Sequence, residues 1–327
     1  MKGKNLVLVV LLAILSAIAG YVCSRYFIVN DETTASTGPA PETGTKEKRL
    51  GGYSFINPLL ECDNYQPATL NSVVVMQQKV KSYIDEAVKS GKVAFVSVYY
   101  RDLNFGPWMG INEAEKFSAA SLLKVPVMIA VYKKEEAQPG FLATEIAYTT
   151  ALGKTATALK TGNSYTAQKL TEEMLINSDD EAKQLLEKAL GSSFIAAVMA
   201  DIGVNASGTD GAVSIKDYSG FFRMLYNATY LSHTNSEKAL AMLSRVNYNN
   251  GMAKGLPKEV LLANKQGERT DGTVKQLHEC GIVYYKGGPY LLGVMTRGND
   301  VNQLSTVIAD LSSMVYSEVS GAVAPAK

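Results

Sequence analysis

At 327 residues the chain could hold one large domain or two ordinary ones, and 46% apolar content is ample for a full core. A net charge of +1 lacks the basic excess by which nucleic-acid-binding proteins are recognised. His233, His278, Cys23, Cys62 and Cys280 form no C-x-x-C or H-x-x-x-H cluster, so no metal or other cofactor is expected.

Lys2 and Lys4 precede an apolar run from Leu6 to Val22, near the short end of what spans a bilayer core. Basic residues at the front place the N-terminus inside and the remainder outside. Ala17-Ile18-Ala19 would suit signal-peptide cleavage. Tyr21, Val22, Tyr26, Phe27 and Ile28 keep the segment apolar past that site and favour a retained anchor over residues 1–30. Cys23 follows Gly20-Tyr21-Val22, which is not a lipobox. Either way the body of the protein is exported. Residues 31–52, rich in Thr, Pro, Gly and charge, read as a flexible linker. One globular domain follows over 53–327, and in an oxidising compartment Cys62 and Cys280 are its only possible disulfide pair.

Within that domain Val74, Val80, Ile84 and Val88 recur at helical spacing and predict a helix near Leu70–Ser90. VAFVSVYY reads as a strand, and Asp102, Asn104 and Gly106 turn it into a short partner near Trp108. From Ser121 to Lys133 the chain is apolar on nearly every side, as in a helix buried mid-domain. Residues 141–250 read as mostly helical. Strands return at VLLANKQ, CGIVYY and PYLLGVMT, and a helix from Val301 to Val319 closes the chain. Strands at both ends predict an α/β (α+β) fold, one sheet built from distant segments with a helical lobe inserted between them.

Three short patterns suggest chemistry. Ser121-Leu122-Leu123-Lys124 is an S-x-x-K, which puts both side chains on one helix face among apolar neighbours. A lysine there loses solvation, and its neutral amine can take the serine proton. The bland alternative is a capping serine with a solvated lysine. Ser178-Asp179-Asp180 is the second pattern, by itself an ordinary helix start with acids at the positive end of the dipole. Lys265-Gln266-Gly267 is the third, placed at the end of a strand. Lys160-Thr161-Gly162 and Lys286-Gly287-Gly288 also spell K-x-G, but only Lys265 follows both a strand and Ser178 and precedes two more strands.

The order S-x-x-K, S-D-x, K-x-G resembles the penicillin-recognising serine enzymes. The phrases FSAASLLKVPVMIAVY, INSDDEAKQLL, FFRMLYNATYLS, SEKALAML, GLP and GIVYYKGGPYLLGVMT are similar to class A β-lactamase-related serine hydrolases. The resemblance implies an antiparallel sheet flanked by helices with an inserted all-helical lobe. It makes Ser121 the acylated nucleophile and Lys124 its base, with Ser178 passing a proton to the leaving group. Lys265 would bind a substrate carboxylate and help keep Lys124 neutral by repulsion. The backbone N–H groups of Ser121 and Glu268 would form the oxyanion hole, with Asp180, Gln266 and Gly267 lining the substrate.

The chain departs from the family in three places. S-D-N has become Ser178-Asp179-Asp180, so a substrate-contacting amide is a carboxylate that cannot donate when ionised. K-T-G has become K-Q-G, without the hydroxyl. No glutamate occurs between Ser192 and Ser236, where the family keeps its deacylating base; Asp201 and Asp210 are the nearby carboxylates. The leading reading is an extracytoplasmic serine hydrolase acting on β-lactams or related amides and esters, with weak deacylation. A cell-wall D-alanyl-D-alanine peptidase or transpeptidase acting on peptidoglycan needs the same acylating groups. A non-catalytic binding or sensor module would reuse the pocket. A Ser-His-Asp hydrolase is disfavoured, since there is no G-x-S-x-G.

Overall fold

The computed structural model describes residues 47–62, 70–104, 106–151, 157–204 and 211–321. The expected anchor at 1–30, most of the linker and Asp210 lie outside them. Among the described residues no helix is long and apolar enough to cross a membrane.

The order is β1 (Glu47–Arg49), β2 (Leu59–Cys62), α1 (Leu70–Lys89), β3 (Phe95–Asp102), β4 (Trp108–Ile111), β5 (Lys116–Phe117) and α2 (Lys124–Ala137). Then come β6 (Glu145–Ala147), β7 (Ser164–Thr166), α3 (Ala167–Ile176), α4 (Asp180–Leu190), α5 (Ser192–Asp201), β8 (Val213–Ser214), α6 (Ile215–Asn227) and α7 (His233–Leu243). The chain closes with β9 (Leu261–Asp271), β10 (Val274–Tyr284), β11 (Tyr290–Gly298) and α8 (Val301–Gly321).

Five antiparallel strands form the main sheet in the order β4-β3-β11-β10-β9. The sheet therefore joins the two ends of the domain, and helices α2 to α7 lie between them in sequence, as expected. Both faces are covered, which explains why its central strands are apolar at nearly every position. Val96, Val98 and Tyr100 of β3 join the core beneath α1 and α8, while Tyr99 turns to the helical lobe. On β11, Tyr290, Leu292 and Val294 face the first side and Leu291 and Met295 the second. Gly293 has no side chain because a Cβ there would come within 2.5 Å of Ile215 on α6. Helix α2 is buried from Lys124 to Tyr132 and forms the centre of the lobe.

Several expectations need correcting. The buried stripe of α1 is Val73, Met76, Val80, Ile84 and Ala87, whereas Val74 and Val88 are exposed. A valine-rich helix offers two candidate stripes, and only packing chooses between them. The middle region also contains the β6–β7 pairing, and Lys160-Thr161-Gly162 lies in the connection between those strands. Strand β9 continues to Asp271, so Lys265 lies inside a strand, opposite Cys280. Cys280 is a free thiol, wholly buried, with its Sγ 3.6 Å from Ser219 Oγ, and so forms no disulfide with Cys62.

Candidate active site

The nucleophile candidate sits just before α2. Ala120 to Leu123 form a 3₁₀ turn, entered through Ala120 at φ +47°, and α2 begins at Lys124. A non-glycine residue with positive φ is strained and persists only where its surroundings hold it. Leu122 is wholly buried, its N–H donates to Ala119 O at 2.9 Å, and its carbonyl accepts from Tyr218 OH at 3.0 Å. Strand β9 closes the other side. A Cβ on Gly267 would lie 3.0 Å from both Ala119 O and Leu122 Cγ, so glycine is what lets the strand backbone approach the turn.

Lys124 is the hub. Its Nζ lies 3.0 Å from Ser121 Oγ, 2.6 Å from Ser178 O, 3.1 Å from Ser178 Oγ and 2.5 Å from Asp180 Oδ1. An ammonium has three protons, so these four acceptors more than satisfy it. Burial lowers the Lys124 pKa, while the Asp180 carboxylate opposes that shift. The proton on this amine is therefore held between two opposing forces.

Ser178 occupies the sharp link between α3 and α4, at φ +55°. The N–H groups of Asn177 and Asp179 both donate to the Glu173 carbonyl. The Glu173 carboxylate accepts from Asn177 Nδ2 and Lys169 Nζ, each at 2.7 Å. That brace holds the turn that aims the Ser178 carbonyl and hydroxyl at Lys124. Ser178 is not the helix cap. Asp179 fills that role, accepting from Ala182 N at 2.9 Å and from Thr157 Oγ1 at 2.5 Å. Asp180 starts α4 and turns back to Lys124, with its side chain 44% exposed.

Lys265 reaches the cluster from the sheet. Its Nζ lies 3.2 Å from Ser178 Oγ, 3.0 Å from Gln266 O and 3.1 Å from Gln266 Oε1. Burial, and then repulsion by Lys124, push it down to about 7. The expected repulsion thus falls on Lys265, while Lys124 is lowered chiefly by its own burial. Ser121, Lys124, Ser178 and Lys265 form an unbroken chain of hydroxyl, amine, hydroxyl and amine.

Other residues are placed elsewhere. Lys160 and Lys286 are exposed surface lysines. Asp201 is exposed and accepts from Tyr230 OH at 2.9 Å. His233 lies 3.1 Å from Tyr53 OH, and His278 is sealed against Phe117. Sequence reasoning missed the Glu173 brace, although Lys169, Glu173 and Asn177 stand at i, i+4 spacing. It also missed Glu279, a wholly buried carboxyl on β10 that accepts from Asn264 Nδ2 at 2.5 Å and Met252 N at 2.8 Å. Burial raises its pKa to about 8.

The sequence pattern described as the beta-lactamase enzyme family matches residues 79–319. The chain belongs to that family. Solved beta-lactamase-like structures superpose on it. PBP-A does so with a TM-score of 0.67 at 21% identity, covering 76% of this chain and 97% of its own. A beta-lactamase from Xanthomonas campestris pv. campestris gives 0.68 at 17% identity, covering 75% and 98%. One from Sphaerobacter thermophilus gives 0.67 at 21%, covering 76% and 99%. At these identities the likeness establishes the beta-lactamase fold. No curated protein matches the chain by sequence.

Proposed function

We propose that this beta-lactamase-family chain is a serine hydrolase that forms an acyl-enzyme on Ser121 with a β-lactam or a related amide or ester. The observation that carries the reading is the Lys124 amine, within hydrogen-bond distance of both Ser121 Oγ and Ser178 Oγ. Neutral Lys124 takes the Ser121 proton as Oγ attacks the acyl carbon. The oxyanion that forms is met by the backbone N–H groups of Ser121 and Glu268. As the acyl C–N bond of an amide or C–O bond of an ester breaks, Ser178 gives its proton to the departing nitrogen or oxygen. Lys124 returns the proton it took to Ser178, so the acylation half-cycle balances.

Release of the acyl group needs a base to activate water, and the stretch from Ser192 to Ser236 contains no glutamate. Deacylation is accordingly slow in this reading. The same absence favours a second one, a cell-wall D-alanyl-D-alanine peptidase or transpeptidase, whose acceptor is an amine. One of the similar structures is a PBP-A variant described as an acyl-enzyme complex with penicillin G. The apolar N-terminal run would hold the domain on the outer face of a membrane, within reach of peptidoglycan.

Incubating the protein with benzylpenicillin and following intact mass over time tests this. A burst of adduct followed by slow turnover supports it. Rapid sustained hydrolysis without visible adduct refutes slow deacylation, and no adduct at all favours a binding module.

A further inference from the structure

The Lys265 ammonium has no donor left for a ligand. It carries three N–H groups and no acceptor. Ser178 Oγ, Gln266 O and Gln266 Oε1 take all three, at 3.2, 3.0 and 3.1 Å. The third comes from a side chain that replaces a small hydroxyl residue in the family pattern. A threonine hydroxyl could share the ammonium with an incoming carboxylate, whereas a glutamine carbonyl folded back onto it occupies the position. A carboxylate must first remove that contact, and it would also meet Asp180, whose charge already acts on Lys265. Burial, which brings Lys265 down to about 7, also disfavours the positive charge that a carboxylate would seek.

We propose that Gln266 closes Lys265 to substrate carboxylates, so that the chain acylates from uncharged amides or esters in preference to carboxylate-bearing ones. The inference rests on Ser121 being the acyl acceptor. It separates two parts that the family resemblance joins: Lys265 keeps its place in the proton chain through Ser178 and gives up its place as an anion grip. Gln266 is then a specificity residue.

Benzylpenicillin and its methyl ester differ only in the carboxylate. Rates of Ser121 labelling by each, followed by intact mass and peptide mapping, give a ratio that needs no variant. The expected result is that the ester labels at least as fast as the free acid. In Gln266→Thr the acid-to-ester ratio should rise roughly tenfold, the size of one hydrogen bond to a charged group. A free acid that outruns the ester tenfold in the unaltered protein overturns the inference, as does an unchanged ratio in a folded Gln266→Thr protein. If that variant does not fold, the wild-type ratio decides. Labelling by a fluorophosphonate but by neither penicillin also overturns it. Failure of all three probes instead removes the acyl-enzyme reading beneath it.

Discussion

Replacing Asp180 with asparagine should make the nucleophile easier to activate at low pH. The carboxylate lies 2.5 Å from Lys124 Nζ and retains its proton there, while burial of the amine works to remove it. The Asp180→Asn change keeps the shape of the side chain and removes its charge. Exposed ion pairs are worth about 0.2–1 kcal/mol, and breaking a buried one costs about 3–5 kcal/mol. Here Lys124 is 1% exposed and Asp180 44%, so the pair is worth an intermediate value of about 1.4 kcal/mol, a factor of about ten in an equilibrium constant. The sign follows from which form reacts. Removing an anion destabilises the ammonium, lowers the Lys124 pKa and raises the neutral fraction below it. The acid limb of Ser121 labelling should therefore move down by about one pH unit. A fluorophosphonate is the right probe, because it has no titrating group and needs no grip from Lys265. Labelling rates between about pH 5 and 9 give the limb, and a limb that stays in place or moves upward would refute control of Lys124 by Asp180.

Ser121→Ala should abolish labelling, and Lys124→Ala should reduce it by about 10²–10⁴-fold, the usual contribution of a general base, at near-normal thermal stability. Label persisting in Ser121→Ala, or a full rate without Lys124, would show that other groups carry the chemistry. Lys160→Ala should leave labelling unchanged while Lys265→Ala impairs it; the reverse would reassign the third pattern. Glu279 bears on stability. Its pKa rises from the ordinary 4.5 to about 8 in the folded chain, so its contribution is full below 4.5 and is lost as pH rises through 8. Glu279→Gln loses one acceptor and starts less stable, but melting curves should show its deficit shrinking between about pH 4.5 and 8. Lys265, lowered to about 7, pulls the other way in both proteins, which is why the difference between them is the readout. Parallel curves would count against the shifted carboxyl.

The parts of this molecule legible in its sequence are those set by local periodicity and residue order. Helix α2 could be read because it is apolar all round, and Lys265 could be preferred over the literal K-T-G because of the strands behind it. What escaped reading depended on contacts across the chain. Asp179 and Ser178 are equally good caps by type, and only the Glu173 brace decides that the serine turns toward Lys124. Whether Val73 or Val74 faces the core depends on what α8 presents. Glu279 looks like a solvated strand residue until Gly251 and Met252, in a 3₁₀ turn, close over it, with a Cβ on Gly251 falling 2.2 Å from its Oε2.

The joining of the domain's two ends in one sheet has a consequence for when the chemistry can begin. Lys124 and Ser178 are 54 residues apart, and Ser178 and Lys265 a further 87. Contacts of such separation form late and slowly, after loop-closure entropy has been overcome. A polypeptide still lacking β9 would hold its serine without the backbone that closes on the Ala120–Leu123 turn and without the second amine. Covalent capture of a substrate would then mark a finished molecule, and a chain still being made would be chemically silent.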